Sequence, residues 1–102
     1  MSWQVVVQPQ ARDDITGAAA WYDDQSSGLG DQFIEEVLTA LRALKVNPFI
    51  HTLRQRTKNI RWWFLRRFPY RIVYEANEKE HLVIVYAVVH SARHESVWQR
   101  RN

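Results

Sequence analysis

Residues 66–74, Arg66-Arg67-Phe68-Pro69-Tyr70-Arg71-Ile72-Val73-Tyr74, together with the apolar run Leu82 to Val89 (LVIVYAVV), decide how this chain folds. The second stretch is the most hydrophobic in the sequence and too short to cross a bilayer. A continuous apolar run of that length, rich in Val, predicts a strand covered on both faces in the middle of a sheet. The first stretch ends a basic segment in which Arg54, Arg56, Lys58, Arg61, Arg66, Arg67 and Arg71 occur with no acid among them. Trp62, Trp63, Phe64, Phe68, Tyr70 and Tyr74 thread through it, and aromatic residues favour strands. Side chains alternate along a strand with a period of two. The alternation predicts one apolar face turned to a helical layer and a second face carrying Arg61 and Arg71.

Outward from this centre, strands are expected at Ile60–Arg66, Tyr70–Ala76 and Leu82–His90. Phe68-Pro69 makes the first turn, and Asn77-Glu78-Lys79-Glu80 the second. Phe49 to Lys58 reads as irregular chain. At the N-terminus Trp3 to Val7 is a short strand, and Pro9 opens a helix, where its missing N–H costs nothing. Ala11, Ile15, Ala18, Ala19 and Tyr22 form one helical stripe, in which Gly17 is read as a place for close packing of a neighbouring helix. After the small-residue loop from Gln25 to Gly30, Phe33, Ile34, Val37, Leu38, Leu41 and Leu44 mark a second helix, stopped by Asn47-Pro48. The result is an α+β fold: an N-terminal strand, an antiparallel helical hairpin from Pro9 to Asn47, then a three-stranded antiparallel meander and a short C-terminal segment. The sheet is expected to be antiparallel with about four strands. Leu38, Leu41, Ile72, Ile84 and Tyr86 are expected in the core.

The 102 residues suit a single domain spanning 1–102. Cysteine is absent, which removes disulfides and thiolate chemistry and suits a cytoplasmic protein. The first residues (MSWQVVVQPQ) show no charged, apolar leader pattern, so no secretion signal is expected. The net charge of +3 conceals a split. Residues 1–50 hold three Lys/Arg against seven Asp/Glu, a net of −4; residues 51–102 hold eleven against four, a net of +7. Such a basic half calls for an anionic partner, nucleic acid or acidic protein, unless acidic helices simply lie beside a basic sheet.

Catalytic motifs are sparse. Of His51, His81, His90 and His94, only the last two have ligand-like spacing, and a third ligand is lacking, so no metal is expected. Ser91 beside His90 is the nearest approach to a nucleophile with a base. The pairs Asp13-Asp14 and Asp23-Asp24 read as solvated or capping groups, and no Gly-rich phosphate loop or other cofactor site occurs. The arginines remain: Arg61, Arg67, Arg71 and Arg93 can grip phosphates or carboxylates through paired donors, with Trp63 to stack on a base. The opposing reading has them solvating an exposed sheet face and covering tryptophan with their stems.

The pattern RRFPYRIVYE, a polar hairpin loop and LVIVYAVVHSARHESVW resembles the RelE/ParE superfamily of toxin–antitoxin toxins, and ParE most of all. The resemblance, which covers nearly the whole chain, rests on Phe-Pro-Tyr-Arg-Ile-Val-Tyr, the Ala-Val-Val-His strand end and Arg93 spaced from Trp98. It implies the toxin of a type II, plasmid-stabilisation system, neutralised by a cognate small acidic antitoxin whose disordered segment folds over it. It also implies two functions. RelE-like members cut messenger RNA on the ribosome with basic residues and a C-terminal aromatic or acid/base group; ParE-like members poison DNA gyrase by binding it. Here Trp98 stands at the position of the RelE-type tyrosine, and an indole only donates a hydrogen bond. Lys58 does not reproduce the RelE lysine spacing. The resemblance therefore favours ParE-like protein binding over an enzyme, with Arg61, Arg67, Arg71, His90, Arg93 and Trp98 as the target-binding set. The alternatives are a RelE-like nuclease built on Arg71, His90 and Arg93, and a non-toxic binding module that has lost its target. No membrane association is expected.

Overall fold

A computed structural model describes residues 2–92 of the chain. In order these form β1 (Gln4–Val7), α1 (Pro9–Gln25), α2 (Leu29–Val46), β2 (Thr52–Gln55), β3 (Ile60–Phe64), β4 (Tyr70–Asn77) and β5 (Leu82–His90). The strands make one five-stranded sheet in the order β1-β5-β4-β3-β2. The three strands of the meander pair antiparallel, as their turn residues predict. Two features differ from the sequence reading. β1 runs parallel to β5, with Val5 opposite Val83 and Val7 opposite Val85, so the sheet is mixed. Thr52–Gln55 forms a fifth strand on β3, bulged between Leu53 and Gln55. Four residues, basic and interrupted by a bulge, carry too little alternation to announce a strand.

The helices cover one face of the sheet. Phe33, Val37, Ala40 and Leu44 of α2, spaced four, three and four apart, are buried against it. Ala11, Ala18 and Ala19 bring α1 close to the same layer. The sheet contributes Ile72, Tyr74, Val83, Val85 and Val88. Ile72 is thus in the core as expected, but the other assignments need correction. Leu38 is 44% exposed, because the buried stripe of α2 lies about 100° around the helix from it. Leu41 is half-buried and packs at the margin. Ile84 and Tyr86 are also half-buried, because Val83 and Val85 take the helix side. A bulge follows: Tyr74 pairs with Val85 but Val73 with Ala87, which leaves Tyr86 as the extra residue and lets Val88 return to the helix side.

The face opposite the helices is not simply a charged surface. Ile60, Val73, Ala87 and Val89 form a second buried cluster there, flanked by Trp62 and Tyr86. The close helix–helix approach assigned to Gly17 belongs instead to Gly30. A Cβ at Gly30 would collide with the Ala19 carbonyl oxygen, and the Gly30 N–H donates to Asp23 Oδ1 at 2.7 Å. A Cβ at Gly17 would meet nothing within 4 Å.

Candidate functional site

The antiparallel register of β3 and β4 distributes the arginines. Arg61 stands opposite Tyr74, and Phe64 opposite Arg71. Tyr74 belongs to the helix side, so Arg61 does too, whereas Arg71 shares the opposite face with Val73. The expectation that Arg61 and Arg71 share one face is therefore overturned. Parity within each strand was read correctly, but the pairing across the turn sets which parities align.

Arg61 fastens a turn. Its Nη1 donates to the carbonyls of Phe49 at 2.9 Å and His51 at 2.7 Å, and its Nε to Asn59 Oδ1 at 3.1 Å. The Tyr74 hydroxyl donates to the Pro48 carbonyl at 2.8 Å, so two neighbouring side chains hold the segment after α2. Burial, opposed in part by the Arg61 charge, raises the Tyr74 pKa well above the ordinary phenol value. The His51 ring lies 3.9 Å from Trp63, and burial, then the Arg61 charge, lowers its pKa. Trp63, considered as a stacking surface for a base, is thus already covered by an imidazole.

Arg71 is 1% exposed. Its Nη1 donates to the carbonyls of His90 at 3.2 Å and Ser91 at 3.0 Å, closing the end of β5. Its guanidinium carbon lies 4.3 Å from the Trp62 ring centroid, and that of Arg54 lies 4.1 Å from it. Arg67 sits elsewhere again, 3.5 Å from Glu36 on α2 and 3.4 Å from Gln32. His90 is exposed, and its Nδ1 accepts the Ala92 N–H at 3.1 Å, which leaves the proton of the neutral ring on Nε2. Arg93 and Trp98 lie outside the described residues, as does the short C-terminal segment expected there.

Of the four target-binding candidates among the described residues, Arg61, Arg67, Arg71 and His90, the structure brings together only Arg71 and His90, through the backbone at the end of β5. Among the described residues beyond position 50, exposed cations stand instead on the edge strand β2 and its turn, at Arg54, Arg56 and Lys58, on the β3–β4 turn at Arg66 and Arg67, and on the β4–β5 turn at Lys79. Among the described residues no group of three His, Cys, Asp or Glu is placed to hold a metal ion, and no helix is long and apolar enough to cross a membrane. Sequence reasoning passed over Asp14, whose Oδ2 accepts the Val88 N–H at 3.0 Å where β5 has outrun β1. It is neither a cap nor simply solvated. A link across 74 positions leaves no periodic trace.

This order of elements, a strand and a helical hairpin followed by a meander, is that of the RelE and ParE toxins. The toxin in a chromosomal ParDE system from P. aeruginosa superposes with a TM-score of 0.73 at 11% identity, over 87% of this chain and 96% of that one. An E. coli RelE mutant bound to a RelBc antitoxin peptide gives 0.67 at 20% identity, over 100% and 96%. A RelBE complex from Mycobacterium tuberculosis gives 0.64 at 18%, over 88% and 99%. At such identities these likenesses speak for the fold. A comparison with curated proteins finds no significant match. The sequence model of the ParE toxin of the type II toxin–antitoxin system parDE, however, matches residues 5–95. The chain belongs to the ParE toxin family of type II toxin–antitoxin systems.

Proposed function

We propose that this chain acts by binding a protein target, with DNA gyrase as that target, and that a small acidic antitoxin holds it inactive. The observation that carries the reading is the use to which its two strand arginines are put. Arg61 and Arg71 engage backbone carbonyls on opposite faces of the sheet, one beneath a turn and the other at a strand end. A nuclease needs exposed cations converging on one scissile phosphate; Arg61 and Arg71 diverge, and Arg71 is almost wholly buried. General acid–base catalysis typically contributes about 10²–10⁴-fold, and the indole of Trp98 cannot supply it.

The antitoxin part of the proposal draws on the neighbours, two of which are solved with an antitoxin or as a toxin–antitoxin complex. It draws also on charge: Arg54, Arg56 and Lys58 along the β2 edge suit an acidic chain. Such cations also guard an edge strand against self-pairing, so they serve the free protein as well. A cytoplasmic location follows from the proposed targets.

The test is induction in cells, followed by two readouts: gyrase supercoiling in vitro and messenger RNA cleavage on ribosomes. Supercoiling is expected to be inhibited, and Arg93→Ala to weaken the inhibition. Codon-linked RNA cleavage abolished by His90→Ala would overturn the reading in favour of the RelE-like nuclease, while expression without growth arrest would favour a binding module that has lost its target. Co-expression with the adjacent reading frame and pull-down tests the antitoxin; no complex at micromolar concentration would count against it.

A further inference from the structure

Two clefts adjoin where α1 crosses the ends of β4 and β5. The first, of about 330 Å³, is lined in part by Asp13, Asp14, Gly17, Trp21, Tyr70 and His90. The second, of about 380 Å³, shares Trp21, Tyr70 and His90 with it. Positions 13, 14, 17 and 21 fall on one face of a helix, and that face looks into the opening. Trp21 is 57% exposed, an unusual position for an indole on a helix that also buries three alanines. The Tyr70 and His90 rings stand 5.3 Å apart. Three flat ring systems thus flank a space with the exposed Asp13 carboxylate at its rim.

Gly17 points to an occupant. A glycine inside a helix weakens it relative to alanine, and at Gly30 that weakness allows two helices to approach. At Gly17 nothing in the fold demands it, since a Cβ there would meet nothing within 4 Å. What the missing side chain preserves is the open volume of the cleft itself.

We infer that this cleft receives the guanidinium of an arginine side chain presented by a partner protein. Aromatic faces attract a cation. A planar guanidinium stacks on them while its paired N–H donors reach a carboxylate, which a compact ammonium cannot do as well. Among the described residues, the Asp, Glu, Lys and Arg side chains that line the first cleft are those of Asp13 and Asp14, both acidic, although its sheet side belongs to the basic half of the chain. The inference stands apart from the toxin reading, because the cleft selects this cation whichever protein carries it.

The experiment is a titration of the isolated ¹⁵N-labelled chain, followed at the Trp21 indole N–H and the Gly17 amide. Three probes are used: a blocked Gly-Arg-Gly tripeptide, its citrulline counterpart with the same shape and no charge, and agmatine as a free small cation. Saturable shifts are expected with the arginine peptide and not with the citrulline peptide. Asp13→Asn and Trp21→Ala are each expected to weaken binding about two- to five-fold. Gly17→Leu should abolish it while leaving the helical circular dichroism undiminished. Equal shifts from the citrulline peptide would overturn the inference, as would undiminished binding in Gly17→Leu. Tighter binding of agmatine than of the peptide would make this a small-molecule site and equally refute a protein-borne arginine. Because no readout involves gyrase, RNA or an antitoxin, failure here leaves the proposed function untouched, and the reverse also holds.

Discussion

The two faces of the β3–β4 pair carry one arginine each, and the two are used differently. On the helix side Arg61 is half-buried under a turn and holds the carbonyls of Phe49 and His51. On the opposite side Arg71 is almost wholly buried, against Trp62 and the last carbonyls of β5. Both sit where backbone carbonyls would otherwise lack partners, and a guanidinium offers five donors in a fixed fork. A basic strand residue is therefore a poor index of a binding face. Among the described residues the exposed cations lie on the helices, the edge strand β2 and the turns.

Substitutions separate the roles of the two arginines. The largest effect is expected from the helix-side core they share a sheet with. Ile72→Ala removes a fully buried side chain and should cost roughly 2–5 kcal/mol in urea melts; a loss below about 1 kcal/mol would mean the helices do not pack on this face. Next comes the arginine pair itself. Arg71→Met should cost about 2–3 kcal/mol and Arg61→Met about 1–2 kcal/mol, since Arg71 is the more deeply buried of the two side chains. Hydrogen exchange should separate them, with Arg61→Met exposing residues 48–51 and Arg71→Met the end of β5. Equal costs and a shared exchange pattern would dissolve the distinction.

Smaller is the contribution of two phenols, buried Tyr74 on the helix side and half-buried Tyr86 on the other face. The Tyr86 hydroxyl donates to Glu75 Oε1 at 2.6 Å; burial first, then this hydrogen bond and the Glu75 charge, raise its pKa as burial raises that of Tyr74. A folded pKa above the unfolded one stabilises the protein fully below about pH 10, and that stability is lost as pH rises beyond it. Thermal melts at alkaline pH should show this fall, and Tyr74→Phe and Tyr86→Phe should each flatten it while costing about 1 kcal/mol near neutrality. The smallest effect belongs to His51, whose lowered pKa works in the opposite sense. Its stabilisation is present above about pH 6.5 and lost as pH falls through the lower folded value. His51→Gln should reduce the acid slope below about pH 6.5. An unchanged slope would remove the histidine from the account of the helix-side turn.

The sequence alone determined every described element except β2, and their order. Pro9, Asn47-Pro48 and the small residues of the expected Gln25–Gly30 loop, of which Ser26 to Gly28 lie between the helices, bound two amphipathic helices, and Leu82–His90 was legible as a buried strand to the residue, because these signals are local and repeat with the period of the structure. The same local motif, Phe-Pro-Tyr-Arg-Ile-Val-Tyr with the strand that follows, carried the family resemblance. Tertiary structure alone decided which faces meet. Both parities of β5 are apolar, so periodicity could not choose Val83 and Val85 over Ile84 and Tyr86, nor foresee the bulge at Tyr86. Nor could it place Arg61 and Arg71 on opposite sides, link Asp14 to Val88, or gather Gly17, Trp21, Tyr70 and His90 around one cleft. Register and inter-layer contact are set by the pairing of residues far apart in the chain, and side-chain alternation records only which neighbours along one strand point the same way.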